Sequence, residues 1–488
     1  MAGSDDSPAE QGAFIIRAEV PGHMDGVSFG TGGWRAAGEA FSDDRVRAVG
    51  QAAATYMRRQ HSGPGSHTAA VGYDARANSE SAAESLTEVL ADNGFDVLLS
   101  DRDVPTPVIA HSVVDRNLDG ALVVTASHNP PEYNGVKFIP EDAAPALPEV
   151  TAALEANLAT PERLPEDERG TVERFDPVPP HAARSRELVG EHFGASLSGT
   201  TIVYDALHGS GRGVTDALLE SAGAEVLPRR CDRDPTFGGQ APEPNAETLA
   251  DLSEAVEAAD ADLGIANDGD ADRIAVCTPE RGVLNGHLLF AVLYEALLDG
   301  GASGPAVRTV STTFLIDRIA DAYGTEVYEV PVGFKWVADG MSKHDGLFGG
   351  EESGGYTVEG HIGTKDGVLV ALLAATVAAI EPFDDRLDDI FETYGQVYAD
   401  KTSVDCPDSQ KARVLETLAE TRPDTVAGRA VAETVSIDGF KFLLEDGSWI
   451  LVRPSGTEPK LRVYAETPEA EALEELLEAG RDILDPLI

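Results

Sequence analysis

Four short apolar segments of this chain each stop abruptly in a polar loop. Ala121 to Ala126 runs into Ser-His-Asn-Pro, Thr201 to Asp205 into Ala-Leu-His-Gly-Ser-Gly-Arg-Gly, Leu263 to Ala266 into Asn-Asp-Gly-Asp-Ala-Asp-Arg, and Val307 to Val310 into Ser-Thr-Thr. Runs rich in Val, Ile, Ala and Leu alternate with longer stretches of helical periodicity, which predicts α/β layering. Ligands of open α/β sheets lie beyond the carboxyl ends of the strands, so chemistry is expected in these loops. At 488 residues the chain is too long for one domain, and about 150 residues per domain gives three or four. The Pro/Glu/Ala-rich stretch from Pro140 to Pro180 contains one predicted helix, Pro148 to Leu158, and precedes a helical run from near His181, which places a first boundary near 178. The Gly/Ser/Pro-rich segment 299–305 marks a second. A third lies near Asp400, after which Ala430 to Ser436, Lys441 to Leu444, Trp449 to Val452 and Leu461 to Ala465 predict a small α+β domain. The expected division is therefore 1–178, 179–299, 300–400 and 401–488, with roughly the first twenty residues frayed.

Charge narrows the function. Lys and Arg number 37 against 85 Asp and Glu, a net charge of −48 spread along the whole length, and only eight of the bases are Lys. A nucleic-acid partner is not expected. Self-repulsion at this density opposes compaction, and molar salt, with a Debye length of about 3 Å, removes most of it, so the surface reads as adapted to a high-salt cytosol. Cys231, Cys277 and Cys406 are far apart and form no CxxC pair, which predicts small buried residues rather than disulfides or a zinc site. The N-terminus lacks the features of a signal peptide, and the longest apolar run, Val368 to Ile380, is short of the roughly 20 residues of a membrane span. A cytoplasmic protein without a membrane partner is expected.

Several loops carry recognisable chemistry. Asp268, Asp270 and Asp272, followed by Arg273, alternate off an apolar strand, giving hard oxygen ligands suited to Mg²⁺. An EF-hand is excluded, because Arg273 stands where Gly is needed and Pro279 where the bidentate Glu is needed. Ser127 sits at a strand terminus before His128, Asn129 and Pro130, in a rigid loop without the G-x-S-x-G elbow of an esterase. Lys137 follows closely, and each lysine in so lysine-poor a chain calls for a reason. Arg453, Ser455, Gly456 and Thr457, with Arg462 beyond, have the composition of an anion-binding nest. Glu351 and Ser353 stand between flexible glycines as acceptor and donor for sugar hydroxyls, bracketed by Lys335 and Lys365, and Arg35 ends a glycine-rich loop from Phe29. Taken singly, each segment also fits an ordinary solvated turn.

Together, in the order serine, aspartate, sugar and phosphate loop, they resemble the α-D-phosphohexomutase superfamily and its phosphoglucomutase/phosphomannomutase branch, from about Phe29 to Tyr464. Gly72-Tyr-Asp-Ala-Arg76, Pro105-Thr-Pro, Asp205-Ala-Leu-His-Gly and Pro242-Glu-Pro-Asn add to the likeness. The resemblance implies three similar α/β domains with mixed sheets and a smaller C-terminal α+β domain around a central active-site cleft. It implies that Ser127 is phosphorylated in the resting enzyme. Asp268, Asp270 and Asp272 would then hold Mg²⁺ together with the phosphoserine oxygen, with Arg273 beside them. Glu351 and Ser353 would bind the sugar 3- and 4-hydroxyls, and Arg453, Ser455, Gly456 and Thr457 the phosphate not being transferred. Lys335 and Arg462 are further substrate-binding candidates and Arg35 a catalytic one. Lys137 and Lys365 are the candidates for proton transfer, with His128 next, since Gly355 stands where some bacterial members have a histidine. The implied reaction interconverts glucose 1-phosphate and glucose 6-phosphate through glucose 1,6-bisphosphate, which is also the activator, by a monomer or small homo-oligomer. Glu352 looks like the glucose-preferring members. A phosphomannomutase or dual-specificity enzyme is the alternative, a metal-dependent phosphatase a remoter one, and a sugar-phosphate sensor would be expected to have lost Ser127 or an aspartate.

Overall fold

The computed structural model describes residues 26–30, 32–61, 67–194, 196–456 and 458–488. The segment expected to fray lies outside the described residues, and so does Thr457.

The chain forms four sheets in succession. The first has seven strands in the order Phe29–Gly30, Gly33–Ala37, Tyr133–Pro140, Gly120–Val124, His67–Tyr73, Phe95–Ser100 and Val172–Phe175, the last four parallel and the others antiparallel. The second has five, with Leu263–Asn267, Thr201–Asp205 and Glu225–Arg229 parallel and Ile274–Thr278 and Gly282–Val283 added antiparallel. The third has four: Val327–Val330, Ala306–Thr309 and Phe348–Glu351 run parallel, and Gly355–Val358 closes the edge antiparallel. The fourth is antiparallel with six strands: those from Thr425–Val426 to Lys460–Thr467 form a five-stranded meander and Tyr398–Asp405 pairs beside Lys460–Thr467, with helices Asp408–Glu420 and Ala470–Leu484 in the same domain. Three mixed α/β sheets and a smaller antiparallel domain are the architecture the sequence implied.

One rule places the site. In each mixed sheet a parallel strand turns back through a hairpin into its antiparallel neighbour, and the chemistry-bearing loop is that hairpin. Val124 pairs with Val136 across the serine loop, Asn267 with Ile274 across the aspartate loop, and Glu351 with Gly355 across the sugar loop. The phosphate loop is likewise the turn between Trp449–Pro454 and Lys460–Thr467. Gly120–Val124 and Leu263–Asn267 are buried throughout, as central strands covered on both faces must be, which is why they read as unbroken apolar runs.

Helix Gly367–Ile380 is apolar all round because it is buried all round, except at its last residues. It packs on helix Thr215–Ser221 and strands Leu263–Asn267 and Ile274–Thr278 of the second unit, and on helix Gly286–Asp299 and strand Gly355–Val358 of the third. No single helix among the described residues is long and apolar enough to cross a membrane. Helix Gly286–Asp299 packs on Leu315–Tyr323, Phe383–Tyr394 and Phe348–Glu351, so the Gly/Ser/Pro segment at 299–305 joins two elements of the third unit. Loop composition marks a turn and carries no information on whether a core ends there. Cys277 and Cys406 are buried as expected, whereas Cys231 is only half-buried, and all three are free.

Candidate active site

Ser127 occupies the left-handed region, with φ of 52°, and is 1 % exposed. Its Oγ donates to Asp268 Oδ2 at 2.7 Å and lies 3.3 Å from His128 Nδ1. The strained turn is held from behind by Arg76. The Arg76 guanidinium donates to the carbonyls of Ser127, Asn129, Pro130 and Tyr133 at 2.7–3.0 Å and from Nε to Asp74 at 3.0 Å, so all five of its N–H groups are engaged. Asp74 also accepts from Thr125 Oγ1 at 2.7 Å, and that hydroxyl accepts from the Ser127 N–H at 2.8 Å. Gly269 lets the aspartate loop come this close, since a Cβ there would stand 2.6 Å from the Ser127 carbonyl oxygen.

Asp268, Asp270 and Asp272 each offer a carboxylate oxygen within 4.8 Å of the other two, all buried. Lys137, on the antiparallel strand after the serine loop, donates to Asp270 at 2.6 Å and Asp272 at 2.7 Å. Lys365 stands 3.2 Å from Asp272, Thr106 donates to Asp270 at 2.5 Å, and the Arg273 N–H donates to Asp268 at 3.1 Å. Asp270 Oδ1 is buried without a hydrogen-bond partner. Three carboxylates, no nitrogen or sulfur donor and an orphaned buried oxygen fit a hard divalent cation such as Mg²⁺.

The charges are strongly coupled. Burial first, then Asp272 and Asp270, raise the Asp268 carboxyl above its ordinary value. Burial acts the same way on Asp272, but Lys137, Lys365 and Arg273 outweigh it and hold that carboxyl far below the usual range. Burial, then Arg273, Arg35 and Lys365, push His128 far down, so its imidazole is neutral. Glu351 is raised mainly by burial.

Ser127, Asp268 and Asp270 lie beneath the wall of a cleft of about 740 Å³ that all four loops line. A continuous chain of contacts joins them. Ile274, at the end of the aspartate loop, donates to the Gly354 carbonyl of the sugar loop at 2.9 Å. Glu351 accepts from the Gly333 N–H at 3.0 Å, the neighbouring Val332 N–H donates to Asp438 at 3.2 Å, and Asp438 accepts from Arg453 Nε at 2.8 Å. Arg35, His128, Ser353, Ser455, Gly456 and Arg462 also face the cleft, and Arg35 donates to Asn129 at 2.6 Å. A Cβ at Gly355 would meet the Lys365 stem at 2.7 Å, so the lack of a side chain at Gly355 is what lets Lys365 pass. Seven of the chain's 37 cationic residues line this cleft against five of its 85 acids, reversing the balance of the whole surface.

The structure does not bring Lys335 into the lining: its ammonium lies 5.5 Å from the ring of Trp336. Sequence reasoning quoted Arg76 and Thr106 within motifs without giving them a role, and missed Asp438, Lys401 in the cleft, and Lys411, which donates to the Ser455 and Glu458 carbonyls at 2.6 Å and braces the phosphate loop. Lysine scarcity, applied evenly, would have found the last two.

A buried serine over three carboxylates, opposite arginines on a separate sheet, has the chemical equipment for phosphoryl transfer to and from an anionic substrate. Models of the four phosphoglucomutase/phosphomannomutase domains match the chain: the alpha/beta/alpha domains I, II and III at residues 26–164, 191–282 and 285–394, and the C-terminal domain at 403–483. The chain belongs to the phosphoglucomutase/phosphomannomutase family, an enzyme family of phosphohexomutases, which are intramolecular phosphotransferases of the isomerase class. It is 31 % identical to a Thermococcus gammatolerans protein named probable phosphoglucosamine mutase, covering 94 % of this chain and 98 % of that one. It is 32 % identical to a Thermococcus kodakarensis phosphoglucomutase/phosphomannomutase, covering 94 % and 99 %. The crystal structure of a phosphoglucomutase/phosphomannomutase family protein from Burkholderia thailandensis shares the fold, with a TM-score of 0.80 at 22 % identity over 95 % of this chain and 98 % of that one.

Proposed function

We propose that the protein is a phosphoglucomutase, interconverting glucose 1-phosphate and glucose 6-phosphate through phosphoserine 127 and a hexose 1,6-bisphosphate. The observation that carries this reading is the 2.7 Å contact from Ser127 Oγ to Asp268 under a cleft that also presents Glu351, Ser353 and Arg453. A phosphatase needs the serine and the aspartates but has no use for a phosphate loop on a separate sheet.

In the forward half-reaction the free hydroxyl of a bound hexose monophosphate attacks the Ser127 phosphorus. The P–O bond to serine breaks as the P–O bond to the sugar forms, and the hydroxyl proton leaves to a base. The sugar turns over, and its other phosphate returns to Ser127. Asp268, Asp270 and Asp272 with the phosphoserine oxygen would hold Mg²⁺, which neutralises charge on the transferring group. Arg273 and Arg35 add positive charge beside it, while Arg453, Ser455, Gly456, Thr457 and Arg462 anchor the resting phosphate. Lys365 is the candidate to take the hydroxyl proton, and Lys137, whose ammonium Asp270 and Asp272 hold charged, is the candidate to return one to the departing Ser127 oxygen, with neutral His128 next to Ser127.

Glu352 supports glucose. Its carboxylate accepts from Ser311 at 2.7 Å and Thr309 at 3.3 Å, which fixes it at the sugar loop. Mannose phosphates are the alternative, and the name of the Thermococcus gammatolerans relative makes glucosamine 1-phosphate a second reading. Comparing kcat/KM on the three sugar 1-phosphates decides among them. Peptide mass spectrometry before and after glucose 1,6-bisphosphate and Mg²⁺, in high salt, tests the mechanism. One phosphoryl group on the Ser127 peptide is expected, and an unmodified Ser127 in both samples overturns the reading. The net charge of −48 supports a high-salt cytosol, and loss of the circular-dichroism signal on dialysis into dilute buffer is the expected check.

A further inference from the structure

Away from the phosphoryl-transfer site, His181 and His361 point Nε2 at one carboxylate oxygen, Asp366 Oδ2, at 2.6 and 2.7 Å. The three side chains are fully excluded from solvent. They come from two separate segments: the helix Val178–Phe193, and the loop between strand Gly355–Val358 and helix Gly367–Ile380. A third imidazole, His111 of helix Thr106–Asp115, lies 5.6 Å from the His181 ring and 6.3 Å from that of His361. The Nδ1 atoms of all three are buried without a hydrogen-bond partner.

We propose that His181, His361 and Asp366 form a second metal site, for a borderline-soft divalent ion such as Zn²⁺ or Co²⁺. The two nitrogens and one oxygen lie within 4.8 Å of one another. Bonds of about 2.0 Å in tetrahedral geometry require donor separations of about 3.3 Å, so each imidazole nitrogen has to draw back from the Asp366 oxygen by roughly 0.6–0.7 Å. The donor set separates this site from the aspartate cluster: imidazoles select zinc-like ions, three carboxylates select Mg²⁺. Support around one ligand is already built, because Asp366 Oδ1 caps the helix Gly367–Ile380 by accepting from the Val368 and Leu369 N–H groups at 2.9 Å, leaving Oδ2 for the ion. An ion there would staple helix Val178–Phe193 to Asp366, the residue that follows Lys365.

The full-length chain, stripped with a chelator, is loaded with Co²⁺ in the presence of excess Mg²⁺ and freed of loose metal by gel filtration. About one retained Co²⁺ per chain, with the intense visible absorption of a four-coordinate N/O site and a raised Tm, is expected. Both the absorption and the Tm rise should vanish in H361Q and persist in D270N. If H361Q does not fold, H181Q carries the comparison. Wild-type protein that retains no Co²⁺, or absorption that survives in the histidine variants and is lost in D270N, overturns the proposal.

Discussion

At the serine end of the cleft one guanidinium engages four loop carbonyls, and Arg212 grips Asp103 through both of its terminal nitrogens to join the first two units beneath. At the phosphate end the loop belongs to a sheet with its own apolar core, built from residues such as Phe442, Ile450, Val463 and Leu476. Contact with the third unit runs through a small cluster of Val310, Trp449, Leu451 and Tyr464, and through single ties such as Asp438 to Val332 and Lys441 to the Val310 carbonyl. In the proposed mechanism the reacting atoms tolerate little misplacement, whereas the end assigned to the idle phosphate would have to admit and release a turning substrate. An independently cored domain on few ties suits the second task.

Arg76→Met tests the first half of this contrast and should have the largest effect. It frees four loop carbonyls, and kcat should fall by roughly 10²–10³, with far-UV circular dichroism retained. Unchanged kcat would remove the argument for a rigid serine end. Asp438→Asn weakens the carboxylate on which Arg453 rests, and KM should rise about tenfold with kcat nearly constant. An equal loss in kcat would mean that the two ends are not separable. Lys411→Met unbraces the phosphate loop within its own domain, and should raise KM about threefold while costing about 1–2 kcal/mol of stability in chemical denaturation.

The last effect concerns the junction itself. Lys441 is fully buried, with Nζ 2.9 Å from the Val310 carbonyl and 3.1 Å from Glu329, and burial first, then Arg308, pull its ammonium down to about 8. The unfolded chain holds that proton to near 10.5, so it binds more protons than the folded chain between pH 8 and 10.5, and folding stability should rise across that window by at most about 3 kcal/mol. The Phe314 and Trp449 rings, 4.0 and 4.2 Å away, favour the ammonium and make this an upper bound. The wild-type gain in Tm over Lys441→Met from pH 7.5 to 10 measures it, and a difference that does not change with pH removes Lys441 as a titrating contact.

What was legible in the sequence was local. Apolar runs ending at Ala126, Asp205, Ala266 and Val310 announced strands because their residues are buried on both faces, and Asp268 to Arg273 announced ligands because alternate spacing is a property of six consecutive residues. The residues that position them were not legible. Arg76 is more than fifty residues from the loop it clamps, and Thr106 lies 164 residues from Asp270. Scarcity of lysine was a sound signal for Lys137 and Lys365 and a poor one for Lys335, because scarce lysines also go to buried junctions such as Lys441 and to surface pairs such as Lys343 with Asp339.

Helix Gly367–Ile380 carries a consequence for how the molecule melts. Its side chains belong to a single apolar cluster that includes Ile202 and Ile265 of the second unit together with Ala306 and Phe348 of the third. Cooperative unfolding follows cores rather than sheets. Calorimetry should therefore count fewer transitions than there are sheets: the middle pair gives up its heat together, and the C-terminal domain, with its separate core, loses its order on its own.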